Sequence, residues 1–278
     1  MPKKIQLIAL ILCISACSAI KMASFNIQVF GKTKSQKSDV MELLSLIIRN
    51  YDLVFIQEIR DGSSKAFKRL LMFVNNYTSP NQKVVYAGTT SPRYGRSSSK
   101  EQYGIIFNPK KVKVIKESEV KVSKKDFERP PYCYSLKTVG KTSLSFAALA
   151  IHIDPDDVSA ELDKLYSTVP QCTQASNTAN IIVLGDMNAG CSYLPKKKKE
   201  QLQLFKDTSF KWMITDDMDT TVAKKDCPYD RFIVQGKTLL DRIVPNSAKP
   251  MKFDKIFNLN QKFAKTVSDH YPIEMEIR

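Results

Sequence analysis

Short apolar runs alternate along the chain with segments whose apolar residues recur at helical spacing. Leu53-Val54-Phe55-Ile56 is unbroken, as in a strand buried on both faces. Ile105-Ile106-Phe107, Phe146 to Ile151, Ile181 to Leu184 and Phe232 to Val234 read as further strands. Phe25 to Phe30 alternates and predicts a half-buried strand. Ile273 to Ile277 alternates with Glu274 and Glu276 and predicts the last strand. Val40, Leu43, Leu44, Ile47 and Ile48 fall on one helical face, with Ser38 or Asp39 as the N-cap. Ala66, Phe67, Leu70, Leu71 and Val74 predict a second amphipathic helix. Val158, Leu162, Leu165 and Val169 predict a third, opened by Asp156 or Asp157. The pattern is α/β. No linker, repeat or long polar tract interrupts residues 20–278, so one domain is expected there. Pro92 to Lys100 and Pro195 to Lys199 read as exposed loops. The four lysines of the second predict a solvated face, with phosphate contact or nuclear import as the sharper readings.

The N-terminus follows a different logic. Lys3 and Lys4 precede an apolar run from Ile5 to Ile14, broken only by Gln6, and then Ser15, Ala16, Cys17, Ser18 and Ala19. A basic start, an apolar core and small residues are the layout of a secretory signal peptide, so residues 1–19 are assigned to a leader. A buried first helix is the bland alternative. Ile14-Ser15-Ala16-Cys17 also resembles a lipoprotein signal; either targeting reading exports the protein. A secreted, extracellular location is expected, and beyond the leader no apolar run is long enough to span a membrane.

At 278 residues the chain is long enough to fold without a metal or disulfide staple. The formal charge is +15, two units less once Lys3 and Lys4 leave with the leader. Such a charge outside the cell favours a polyanionic partner. Without the leader four cysteines remain: Cys133, Cys172, Cys191 and Cys227. An oxidising compartment points to disulfides, and four cysteines allow three pairings. No CxxC pair argues for zinc.

Candidate chemistry lies at strand ends. Glu58 follows Leu53–Ile56, His152 ends Phe146–Ile151, and Asp186 and Asn188 follow Ile181–Leu184. Asp230 precedes Phe232–Val234, Asp269-His270 precedes the final strand, and Asn26 lies in the first. Polar groups at strand ends can gather on one sheet edge, where ligands bind. The chain has only two histidines, and both occupy such positions. Two imidazoles with an oxygen-rich cluster suit phosphodiester hydrolysis, which needs a base, an acid and positive charge on the phosphoryl oxygens. Hard divalent cations suit oxygen ligands. No GxSxG, HExxH or P-loop pattern is present.

Phe25-Asn26-Ile27, Gln57-Glu58-Ile59-Arg60-Asp61, Lys100-Glu101-Gln102-Tyr103, Gly185 to Tyr193, Cys227-Pro228-Tyr229-Asp230-Arg231 and Ser268-Asp269-His270-Tyr271-Pro272 together resemble the deoxyribonuclease I family, in chain order. Phe127 to Cys133 and the basic character resemble its deoxyribonuclease gamma branch. The resemblance implies an α/β four-layer sandwich of two packed mixed β-sheets flanked by helices. It implies a metal-dependent endonuclease that cuts double-stranded DNA with little sequence preference and leaves 5′-phosphates. His270 resembles the family base, oriented by Asp230, and His152 the acid, paired with Glu101. Glu58, Asp186, Asn188, Asp269 and Asn26 would hold Mg2+ or Mn2+ and the scissile phosphate. Arg60, Arg96, Arg129, Tyr193 and Tyr229 fall at DNA-contact positions, and Cys191 and Cys227 match the family's long-range disulfide. Cys133 and Cys172 are left without an implied partner.

Some positions depart from the family. Ser99 stands where the prototype's DNA-contact loop has tyrosine, and Met187 where Phe is usual. A small disulfide loop is missing between Val120 and Phe127, which argues against a calcium site there. Asp219 and Thr221 keep part of a second calcium region, but Lys224 and Lys225 follow, so Ca2+ stays an open cofactor. The basic tail of the gamma branch does not follow Arg278. A monomer is expected, while actin binding and the source of the DNA are left open. Rivals are an abasic-site endonuclease or a phospholipid or inositol phosphodiesterase on the same fold, and a catalytically dead DNA- or actin-binding relative.

Overall fold

The computed structural model describes residues 19–76 and 84–278. The leader, all but Ala19, lies outside the described residues, as do Tyr77 and Thr78 of the Asn76-Tyr77-Thr78 glycosylation sequon. The first strands are β1 (Ile20–Phe30), β2 (Leu53–Ile59), β3 (Ala87–Thr90), β4 (Gln102–Phe107), β5 (Val112–Glu119) and β6 (Tyr132–Thr138). They are followed by β7 (Ser145–His152), β8 (Ile181–Asp186), β9 (Lys211–Trp212), β10 (Asp230–Gln235), β11 (Lys249–Pro250) and β12 (Ile273–Ile277). The main helices are α1 (Lys32–Ser35), α2 (Ser38–Ile48), α3 (Lys65–Asn76) and α4 (Val158–Ala175). Two six-stranded sheets result, ordered β11-β12-β1-β2-β4-β3 and β5-β6-β7-β8-β10-β9.

The sheets face each other through an apolar layer. Met22, Phe55, Ile105 and Met275 of the first meet Tyr134, Phe146, Ile182 and Phe232 of the second. On its outer face the first sheet packs Phe25, Val54 and Ile56 against Val40, Leu44 and Ile47 of α2 and Leu70 and Val74 of α3. The second packs Leu149, Ile151 and Val183 against Leu162, Leu165 and Val169 of α4. Helix, sheet, sheet and helix make the expected four layers. Among the described residues no helix is long and apolar enough to cross a membrane.

This layering corrects the half-buried expectation for Phe25 to Phe30. β1 is a central strand, and Phe25, Asn26 and Ile27 are all buried. A strand between two covered faces has no solvated side, so alternation there separates two apolar layers rather than core from water. The N-cap of α2 is Lys37, not Ser38 or Asp39. Asp39 lies in the first turn, where its carboxylate accepts the Val40 N–H at 2.8 Å. Asp157, one of the two expected openers, stands at the N-cap of α4, but its side chain makes no capping hydrogen bond. The Pro195–Lys199 stretch is not a loop, and its lysines divide. Lys196 to Lys198 are exposed on a one-turn helix, whereas Lys199 is buried, bonded to Asp216 at 2.6 Å and stacked over the Trp212 ring. A lysine run is therefore only partly a solvated face.

Two disulfides are present. Cys191 pairs with Cys227, as the resemblance implied, and Cys133 pairs with Cys172, joining β6 to α4.

Candidate active site

The chemistry sits where the two sheets present adjacent strand ends. In the second sheet β7 runs parallel to β8 and β10 antiparallel to it, so that His152, Asp186 and Asp230 are register partners in one row. Gly185 makes this row possible. It adopts φ +137, and a Cβ there would lie 1.9 Å from the Ile151 carbonyl oxygen. The first sheet supplies Asn26 from β1 and Glu58 from β2, Glu101 just before β4, and Asp269-His270 just before β12.

Asp186 is the hub. Its Oδ2 lies 3.5 Å from His152 Nε2 and 3.4 Å from His270 Nε2, and it accepts the Asn26 amide at 2.9 Å. Its Oδ1 accepts the Asn188 N–H at 3.1 Å. Behind each ring stands a second carboxylate: Glu101 Oε2 at 2.8 Å from His152 Nδ1, and Asp230 Oδ2 at 2.8 Å from His270 Nδ1. Each carboxylate holds the proton on Nδ1 and leaves Nε2 to face the pocket.

Burial alone would lower both imidazole pKa values. For His152 the Glu101 hydrogen bond and Asp186 outweigh it, and the pKa rises. For His270 burial is overcome first by Asp230, then by Asp186 and Asp269, and the pKa stands well above its ordinary value. Burial pushes Asp186 up, but the two imidazoles prevail and hold it below the usual aspartate value. Burial likewise pushes Glu101 up, and His152, Arg129 and Arg60 bring it below the usual glutamate value. The pocket is short of positive charge, and protons on the imidazoles supply it.

That shortage fits a divalent cation. Ligand atoms of Asp186, Asp230 and His270 lie within 4.8 Å of one another. Asp230 Oδ1 and Asp269 Oδ1 are buried without a hydrogen-bond partner. Glu58, Asp186 and Asp269 offer the oxygen donors that a hard cation prefers. The two asparagines behave differently from a simple ligand set. Asn26 turns its amide donors to Glu58 Oε1 at 3.0 Å and to Asp186, and its Oδ1 accepts the Gln28 N–H at 2.9 Å. It brackets two carboxylates. Asn188 donates to the Ile153 carbonyl at 3.0 Å, and among the described residues no hydrogen bond reaches its Oδ1. The Asp219 region does not fit calcium. Asp219 Oδ1 accepts from Thr221 and from the Cys227 N–H, and Lys252 Nζ lies 3.1 Å from Oδ2.

The expected DNA-contact residues ring the pocket unevenly. Arg60 Nη2 lies 2.7 Å from Glu101 Oε1 and 3.2 Å from Glu58 Oε2, and its Nη1 donates to Ser99. Arg129 donates to the His152 carbonyl at 3.0 Å, and its side chain is nearly buried. Both brace the His152 side from behind. Arg96 ties its loop to the carbonyls of Phe127 and Lys125, at 3.2 and 3.1 Å. Tyr193 is exposed and its ring lies 5.2 Å from that of Tyr229, which is 6.4 Å from His270. The Cys191–Cys227 disulfide joins the two loops that carry these tyrosines.

Three supports escaped the sequence reading. Ser268 donates to the Asn26 carbonyl and accepts the His270 N–H at 3.0 Å. Thr220 Oγ1 accepts the N–H groups of Tyr229 and Asp230 at 3.0 and 3.1 Å. The Tyr103 hydroxyl accepts the His152 N–H at 3.2 Å. Ser268 and Tyr103 lie inside recognised motifs, which was the available signal; Thr220 had none.

The sequence profile of the Endonuclease/Exonuclease/phosphatase family matches residues 23–270. The chain belongs to this family. Within the family it is 33% identical to deoxyribonuclease-1 of Bos taurus over 264 residues, 93% of this chain and 92% of that one. It is 30% identical to deoxyribonuclease gamma of Mus musculus, over 100% of this chain and 90% of the relative. An endonuclease/exonuclease/phosphatase family protein from Bacteroides thetaiotaomicron shares the fold at TM-score 0.63 and 13% identity, covering 94% of this chain and 97% of that chain.

Proposed function

We propose that this protein is an exported, divalent-metal-dependent endonuclease that hydrolyses double-stranded DNA with little sequence preference. One observation carries the proposal: two carboxylate-backed imidazoles reach the same Asp186 oxygen, His152 Nε2 at 3.5 Å and His270 Nε2 at 3.4 Å, so both stand close enough to serve one phosphodiester. With positive charge supplied by a bound cation instead of its own second proton, His270 is neutral at Nε2 and takes a proton from the attacking water. Oxygen bonds to phosphorus as the bond to the 3′-oxygen breaks. His152 gives its Nε2 proton to that leaving oxygen, which leaves a 5′-phosphate and a 3′-hydroxyl. Asp230 and Glu101 hold the two rings in these tautomers. Glu58, Asp186 and Asp269 hold Mg2+ or Mn2+; the bound ion supplies positive charge to the phosphoryl oxygens.

Tyr193 and Tyr229 present an aromatic surface beside His270, and Arg60, Arg96 and Arg129 add positive charge on the other side. Contacts of this kind read backbone and groove shape more than bases. The disulfides and the charge of +15 support export and a polyanionic substrate. Residues 20–278 act as one catalytic domain in this reading.

A plasmid-nicking assay tests it. Supercoiled DNA should be nicked with Mg2+ or Mn2+, protected by EDTA, and cut to ends that ligate without added phosphate. Parallel incubations with abasic duplex and sphingomyelin separate the rival substrates. Absence of metal-dependent nicking of intact DNA by the folded, disulfide-bonded protein would refute the proposal.

A further inference from the structure

A turn held in an unfavourable conformation lies directly behind Glu58. Gln28 and Val29 both adopt left-handed backbone, with φ 43 and 48. For valine, branched at Cβ, this conformation is an outlier that persists only where its surroundings impose it. The turn's N–H groups point into the site. Gln28 N–H donates to Asn26 Oδ1, and Val29 N–H donates to Glu58 Oε2 at 2.7 Å. Its carbonyls point the other way and converge on one side chain. Lys34 Nζ donates to the Ile27 oxygen at 2.8 Å and to the Gln28 oxygen at 2.7 Å.

We infer that Lys34 is a positioning residue: its ammonium straps the turn at the left-handed Gln28–Val29 pair through the Ile27 and Gln28 carbonyls and so aims the Val29 N–H that fixes Glu58 for cation binding. This rests on the reading that Glu58 helps to hold the metal. The geometry suits an ammonium. Two carbonyl oxygens meet on one compact, multi-donor group, which a methionine of similar reach cannot replace. Lys34 sits on α1, which leaves β1 through Gly31, so the strap closes a short local loop. Burial lowers its pKa to about 8, while Asp269 and Glu58 act to raise it. The ammonium is therefore charged at neutral pH and lies close enough to feel both carboxylates.

Mn2+ binding to the metal-free protein, read from the EPR signal of free Mn2+, provides the test. Lys34→Met should weaken Mn2+ binding about 10-fold or more, the usual effect of losing an outer support of a metal ligand. Adding Val29→Gly should recover most of that loss, because glycine takes the left-handed conformation without a strap. Wild-type affinity in a folded Lys34→Met protein would overturn the inference. So would failure of Val29→Gly to rescue, since Lys34 would then act through its charge alone. Should Lys34→Met not fold, Lys34→Gln, shorter than lysine and uncharged, takes its place with the same expected loss and rescue. A wild-type protein that binds no Mn2+ refutes the metal reading and this inference together. Mn2+ binding by wild type with an indifferent Lys34 variant refutes this inference alone.

Discussion

His152 and His270 face the same Asp186 oxygen, and each has a carboxylate 2.8 Å behind it, but the two halves of the pocket differ in charge. Glu101 is shared: besides His152 it meets Arg60 at 2.7 Å and Arg129 at 3.7 Å. Asp230 is fully buried; among the described residues its one ion pair is with His270, and its Oδ1 has no hydrogen-bond partner. Asp269 adds further negative charge on the same side. Two copies of one carboxylate–imidazole device thus stand in opposite surroundings. Arginines pair directly with the first carboxylate, whereas the second pairs directly only with its imidazole and has Arg231 and, beside Asp269, Lys34 as cations at longer range. A group whose charge follows cation occupancy is suited to accept a proton, and a group insulated from it is suited to keep one. The difference supports His270 as base and His152 as acid.

The largest expected effect removes either ring. His152→Ala and His270→Ala should each lower kcat for plasmid nicking by about 10^2- to 10^4-fold, the usual range for a lost acid or base. Far-ultraviolet circular dichroism should be unchanged, because both rings lie at strand ends and not in the apolar layers. Near-normal turnover in either folded variant breaks the pairing of roles.

A second comparison sharpens the asymmetry. Asp230→Asn should cost about 10-fold more in kcat than Glu101→Gln, measured at saturating Mg2+. His152 keeps its backbone anchors, the Tyr103 hydroxyl on its N–H and Arg129 on its carbonyl, when Glu101 is neutralised. Among the described residues His270 has a single backbone anchor, the Ser268 hydroxyl on its N–H, besides Asp230 at its Nδ1. Equal losses would mean that the arginines around Glu101 contribute nothing to how the acid is held.

The same asymmetry explains what could be read in the chain. Runs such as Ile181–Leu184 and the motifs that follow them gave both the sheets and the strand-end chemistry, because local apolar pattern and local turns are written in contiguous residues. The layering of β1 was hidden, since period-two alternation looks the same whether the second face meets water or helices. Long-range supports were hidden too. Thr220 reaches Asp230 across 10 residues, and Lys34 reaches back to Ile27 through a turn whose left-handed shape nothing in Gln28-Val29 announces. Arg231 closes the Cys227–Arg231 motif with no role implied for it, yet it is fully buried. It donates to the carbonyls of Ile214 and Ala189 and to Asp216, and so braces the loop after Asp186. Charge became legible as support only when its partners, brought from distant segments, were in place.

The smallest effect is also the most direct measure of the asymmetry. With only two histidines in the chain, imidazole NMR of the metal-free protein should show two titrations, both above the ordinary value of about 6.5 and His270 the higher. Mg2+ should lower His270 more than His152, since Asp186 and Asp269 would then face a cation. The sign carries over to stability. A histidine whose pKa is raised by folding contributes stability that is complete below about pH 6.5 and is lost as pH rises through the folded value. The urea midpoint of the metal-free protein should therefore fall as pH rises above about 6.5. His270→Ala should flatten that fall more than His152→Ala, because three carboxylates hold its proton, whereas Glu101 and Asp186 hold that of His152 against Arg129. Equal flattening, or a Mg2+ shift confined to His152, would reverse the assignment of which half answers to the cation.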